Sequence, residues 1–265
     1  NCHLQTIFAK YLAPKLALSL TAELFDLPDG DELMLHWGSV QPNPQTPLVL
    51  LLHGLEGNYR SHYIRGMMHS LQQRGFATVL MHFRGCHGEA NKLPRAYHSG
   101  DTADAGFIIE LLQQRFPGVS LAAVGFSLGG YIATYFSLLY PERVNKLFVI
   151  SNSPTNLSAA ELNQRTDALQ LVKKYGYKGL SRHRAITLLD AGSQTDRLTD
   201  VILDMDSDLG EAEFISQYQY TSNRIDLSAR VNELPLPGCF YFSTDDKLVN
   251  AAWLNEMSKA NPKLS

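Results

Sequence analysis

The stretch VGFSLGG at 124–130 constrains this chain more than any other. It follows a short apolar run, Ser120 to Val124, and precedes an apolar segment of helical character, Tyr131 to Leu139. Read as strand, sharp turn and helix, it places Ser127 on a bend tight enough that its neighbours two positions away must lack bulk. Gly125 and Gly129 meet that need, because glycine tolerates strained dihedrals and close backbone approach. A chain with such a bend needs a strand feeding it, a helix leaving it and neighbouring strands that bury the feeder.

Those neighbours are legible. PLVLLLH at 47–53 is a continuous apolar run of the kind buried on both faces of a parallel sheet. GLEG at 54–57 ends it, and residues 59–74 have helical length with Gly75 as the stop. A strand over 76–83, a helix over 101–116 with Asp101 as N-cap, the feeder strand, a helix ending before Pro141 and a strand over 146–150 follow. This alternation predicts βαβ units: an α/β fold with a mostly parallel central sheet and helices on both faces. LPDGD at 27–31 reads as a turn between two earlier strands, the second over 33–37. Residues 4–20 are apolar but broken by Pro14; packing on the chain's own domain is favoured over a membrane-surface helix. From 155 to 235 the chain is more polar and reads as mostly helical, a cap inserted above the sheet edge. GCFYFS at 238–243 restores the strand pattern, and a helix over 251–259 follows. The whole, 1–265, is expected to be one domain with this insertion, trimmed at both ends, its C-terminal strand and helix cut short.

Composition excludes some functions. A net charge of −3 and a pI near 6.3 leave no basic footprint, so nucleic acid is not an expected partner. No apolar run approaches the roughly 18 residues of a membrane span. Three dispersed cysteines, Cys2, Cys86 and Cys239, with no CxxC pair, argue against a disulfide framework or zinc site and for a reducing, cytoplasmic setting. His82, Cys86, His87 and His98 are close in sequence but match no helical ligand spacing, so no metal and no cofactor is expected.

A serine at such a bend suits nucleophilic catalysis, provided the chain also supplies oxyanion donors, an acid and a base. The backbone N–H of Leu128 is one expected donor and that of Leu55, in the His53-Gly54 loop, the other. His53 reads as a loop-shaping residue rather than the base. Asp245 and Asp246 follow the 238–243 strand, at the edge where open α/β sheets place their sites. Asp246 is favoured as the acid for its Asp-x-x-Val spacing, with Asp245 the alternative. The histidines stand at 3, 36, 53, 62, 69, 82, 87, 98 and 183, so none follows Asp246. The base is expected just beyond Ser265.

These residues bring a family into view. The chain resembles the YheT-like branch of the α/β-hydrolases in NCHLQT at 1–6, LPDGD at 27–31, HGLEG at 53–57, MHFRGCHGE at 81–89, YHSG at 97–100 with Asp104, and AVGFSLGG at 123–130. The resemblance implies a serine hydrolase acting on carboxylic esters, with Ser127 as nucleophile, an acid in the Asp245-Asp246 turn and a histidine in a Gly-Gly-His-type loop not found here. A small-molecule ester or acyl compound is the expected partner. A non-catalytic ligand- or partner-binding member of the fold and a thioesterase or lipase-type acyl hydrolase are the alternatives. Tyr131 and Lys247 depart from the branch's pattern, and residues 150–235 match it poorly. Neither the substrate-binding residues nor the oligomeric state is legible.

Overall fold

The computed structural model describes residues 16, 18–55, 57–89, 91–93, 97–98, 101–187, 196–222, 224–243, 246 and 249–265. Its centre is a seven-stranded sheet. The strands are β1 (Thr21–Asp26), β2 (Glu32–Trp37), β3 (Leu48–Leu52), β4 (Ala77–Met81), β5 (Leu121–Phe126), β6 (Lys146–Ile150) and β7 (Gly238–Tyr241). Their order is β1-β2-β4-β3-β5-β6-β7. The β1–β2 and β2–β4 pairs are antiparallel and the rest parallel. The carboxyl ends of β3 to β7 therefore share one edge. Beyond β7, Lys263 to Ser265 begin another parallel pairing: Gly238 N–H donates to Lys263 O at 2.9 Å and Ser265 N–H to Gly238 O at 3.0 Å.

The run of leucines in β3 explains its central place. All five of its residues are buried. Leu48, Leu50 and Leu52 enter one core and Val49 and Leu51 the other, as the two-residue period of a strand demands. The second core is closed by Ile64 and Met68 of α1 (His62–Gln72). The first is closed by α2 (Ala103–Arg115), α3 (Leu128–Leu139) and α8 (Ala251–Ala260), through Ile108, Ile132 and Leu254 among others. Helices thus cover both faces, as βαβ connections require.

Between β6 and β7 run only helices among the described residues: α4 (Ala159–Tyr175), α5 (Arg182–Thr187), α6 (Asp196–Ser222) and α7 (Ser228–Val231). Ser158 caps α4 by accepting from Glu161 N–H at 3.2 Å. The loop after α4 is pinned to α6, where Asp206 accepts from Leu180 N–H and Glu211 from Tyr177 N–H, both at 2.7 Å. No described helix is long and apolar enough to cross a membrane.

Several boundaries differ from expectation. Asp101 does not cap α2; Thr102 holds that place without a side-chain bond, and Asp101 is buried with its N–H donating to His98 O. The first crossover helix begins at His62 rather than Tyr59, whose ring stacks on His36 at 4.3 Å. Of residues 4–20, Leu18 and Leu20 pack against the α1-side core, and Leu16 O accepts from Arg65 at 2.9 Å. The remainder of that apolar segment lies outside the described residues.

Candidate active site

Ser127 follows β5 directly and opens α3, with φ 49° and ψ −117°. A non-glycine residue in this region stores roughly 1–3 kcal/mol and persists only when its surroundings over-determine it. They do so here. A Cβ on Gly125 would stand 2.4 Å from Gly129 O and 2.5 Å from Gly130 Cα. One on Gly129 would stand 2.4 Å from both Leu52 O and His53 O. The turn thus presses its own backbone against the end of β3. Ser127 N–H donates to Ile150 O at 2.8 Å, fastening it to β6, and its side chain is exposed.

The loop after β3 runs beside this serine. A Cβ on Gly54 would lie 3.4 Å from Ser127 Cβ. A turn closed by Gly57 N–H to Gly54 O at 3.0 Å carries Leu55 at its second position, and such a turn makes no use of the amide there. Gly54 N–H is held by the Tyr63 hydroxyl at 3.1 Å, a phenol whose pKa burial raises. Leu128 is the first residue of α3, and an N–H in a helix's first turn has no intrahelical acceptor. The α3 N-terminus is therefore a place where negative charge is favoured.

His53 is fully buried and both ring nitrogens are used: Nδ1 donates to Gly54 O at 2.6 Å, and Nε2 accepts from Phe83 N–H at 3.0 Å. Burial, opposed by the bond to Gly54, lowers its pKa to about 4. It is a neutral strut between the loops after β3 and β4. The loop after β4 is anchored further by Arg84. Its Nε and Nη2 donate to Asp104 at 2.7 Å each, and Nη1 reaches Asp31 and Asp29 at 2.9 Å. Asp31, itself fully buried, also accepts from Glu32 N, Lys92 N and Asn91 Nδ2. Burial alone would raise its pKa; these donors hold it down to about 2.

Asp246 is buried beyond β7, its N–H donating to Ser243 O at 3.0 Å and its carbonyl accepting from Val249 N–H at 3.4 Å. Asp245 lies outside the described residues. The segment after Asp246 is tied to the residues following β6 through Asn250 N–H, which donates to Ser153 Oγ at 2.7 Å. Sequence reasoning missed Ser153, and also Asn152, which is buried beside Gly130 with its Oδ1 unpartnered. Nothing in their spacing marked them, since their position depends on the β6–β7 pairing.

His82, Cys86, His87 and His98 do not assemble as ligands. Among the described residues, the three such groups with ligand atoms within 4.8 Å of one another are Glu32, His87 and Glu89, and Lys92 Nζ already occupies Glu32 at 2.7 Å. His82 sits instead in a buried aromatic cluster, 4.8 Å from His36 and 5.9 Å from both His53 and Tyr59.

A family profile described as alpha/beta hydrolase fold matches residues 47–191. The YheT protein of Escherichia coli (strain K12), which carries an esterase name, is 36% identical over 180 residues, 66% of this chain and 52% of that protein. Phospholipase ABHD3 of Mus musculus is 29% identical over 48% of this chain and 33% of its own. The chain thus spans between a third and about half of these relatives. Among solved structures, a hydrolase from Pseudomonas aeruginosa PA01 superposes with a TM-score of 0.67 at 17% identity, covering 95% of this chain and 89% of that one.

Proposed function

This chain belongs to the α/β-hydrolase family, and on that premise we propose that it is a serine hydrolase cleaving carboxylic esters through an acyl-enzyme on Ser127. The observation that carries the reading is the positive φ of Ser127, held by its bond to Ile150 and by the close packing of Gly125 and Gly129, at the edge where the β3 loop and the α3 N-terminus meet. Backbone strain of this kind clusters at active sites.

In this reading Ser127 Oγ attacks the ester carbonyl carbon while an imidazole takes its proton. The N–H groups of Leu128 and Leu55 bind the oxyanion. The imidazolium then protonates the departing alkoxide, and water, activated by the same base, releases the acid and restores Ser127. Asp246 orients the base, with Asp245 the alternative. His53 is excluded as that base by its two existing bonds. The helices between β6 and β7, residues 155–235 of a single domain, form the cap that shapes the substrate site.

Esterase and phospholipase names among the relatives support acyl hydrolysis over other chemistry on this scaffold. Labelling with a fluorophosphonate tests it. Covalent modification of Ser127 in the wild type and its loss in Ser127→Ala are expected; a full-length protein that fails to label would convert the reading into that of a ligand-binding member of the fold.

A further inference from the structure

The chain holds its arginines in two contrasting ways. Arg84, buried, meets three carboxylates. Arg224, on the segment leading from α6 back towards the sheet, is half-buried, and its guanidinium forms no hydrogen bond or ion pair with any described residue. Its Nε is shielded from solvent and lacks an acceptor. The two carboxylates nearby are engaged elsewhere: Glu161 holds Arg165 at 2.8 Å, and Asp226 accepts from Ser228 N–H at 2.9 Å. Arg165 adds a second positive charge close by, and burial lowers the Arg224 pKa. A partly desolvated guanidinium with empty donors is costly unless an anion completes it.

Its position gives that cost a purpose. The guanidinium carbon lies 5.5 Å from the centre of the Tyr131 ring. Tyr131 lies in the first turn of α3, and its N–H donates to Ser127 O at 3.2 Å. Its hydroxyl donates to Ile225 O, so the residue next to Arg224 is tied to the helix that carries the serine.

We propose that Arg224 is an anion subsite of the Ser127 centre and selects esters that carry a carboxylate or phosphate remote from the scissile carbonyl. The proposal rests on the serine-hydrolase reading. A planar guanidinium suits either anion because its paired N–H groups match two oxygens at once. The Tyr131 ring beneath the guanidinium keeps the fork in place before substrate arrives.

Turnover of two substrate pairs by the full-length protein tests this. In one pair mono-4-nitrophenyl adipate is compared with 4-nitrophenyl hexanoate; in the other 2-phosphoethyl butanoate is compared with ethyl butanoate. The first pair carries its anion on the acyl half and the second on the alcohol half, so the two arms tell which anion the subsite takes and in which half of the ester. The anionic member of at least one pair is expected to show the higher kcat/KM. Arg224→Gln should lower the anionic-to-neutral ratio roughly tenfold or more, and Arg224→Lys should keep part of it. Matching unfolding temperatures exclude a folding defect. An unchanged ratio in both pairs overturns the proposal while leaving the hydrolase reading intact. If no ester is turned over, the hydrolase reading fails, and calorimetric titration with adipate monoethyl ester and with 2-phosphoethyl butanoate decides the subsite. Binding weakened by Arg224→Gln sustains it; equal affinity, or no binding by the wild type, overturns it.

Discussion

The amide of Ser127 donates to the carbonyl of Ile150 at 2.8 Å, extending the β5–β6 ladder by one bond past the last residue of β5. The serine is therefore held by the sheet on one side while its other dihedral is forced by the helix. Ser127→Gly should exceed Ser127→Ala in unfolding free energy by about 1 kcal/mol, since both lack the hydroxyl but only glycine accepts φ 49° without strain. Denaturant titration of the two variants checks this. An alanine variant as stable as the glycine one would mean that the bend is not strained.

The glycines beside it act through space rather than freedom. Gly129→Ala would drive a methyl to 2.4 Å from two carbonyl oxygens of the β3 end, neither of which can yield without breaking the sheet. A destabilisation of about 3 kcal/mol is expected. Serine labelling should slow at least about a hundredfold, because displacement by an ångström suffices for that. Gly66→Ala, where a Cβ has open space, is the control.

The acid can be assigned by exchanging carboxylates for amides. Asp246→Asn should lower kcat about 10³- to 10⁴-fold with little effect on unfolding, whereas Asp245→Asn should stay within about tenfold. The reverse pattern would transfer the role to Asp245.

Acid should weaken the fold in two stages. His53 and His82 are buried and neutral, lowered by burial to about 4 and about 3. The unfolded chain therefore takes up protons first, from about pH 6.5 downwards, and stability falls towards pH 4, by about 3 kcal/mol for His53 alone. Asp31, held down to about 2, keeps its contribution above pH 4 and loses it between pH 4 and 2. Unfolding temperature against pH reads both stages. His82→Phe should shrink the first and spare the second.

Removing Arg84 leaves Asp31 and Asp104 buried without their counter-charge. Arg84→Met should cost about 3–5 kcal/mol, measured by urea denaturation. A loss below 1 kcal/mol would show that water fills the guanidinium's place.

The sheet was legible because strand periodicity and glycine stops are local. PLVLLLH could only be a strand buried on both faces, and β3 is that strand, between β4 and β5. The serine bend was legible for the same reason, since Gly125 and Gly129 answer to contacts within a few residues and to one neighbouring strand. Arg84 and Asp31 stood in segments quoted for the family resemblance, but their pairing spans 53 residues and has no periodic signature. Arg224 was silent altogether: an unpaired arginine looks like any other until the fold withdraws its carboxylates. The Asp101 cap failed because a cap is decided by one dihedral, and the chain turns a residue later at Thr102.

The supports of Ser127 all come from residues up to Ile150, whereas Asp246 follows about a hundred residues later, beyond the helical insertion. On a ribosome, where chains grow at roughly 5–20 residues per second, the bend can be complete several seconds before Asp246 exists. Under the proposed mechanism a nascent chain would then present a formed but unarmed serine, and the order of synthesis would keep it from acting before the helices between β6 and β7 are made.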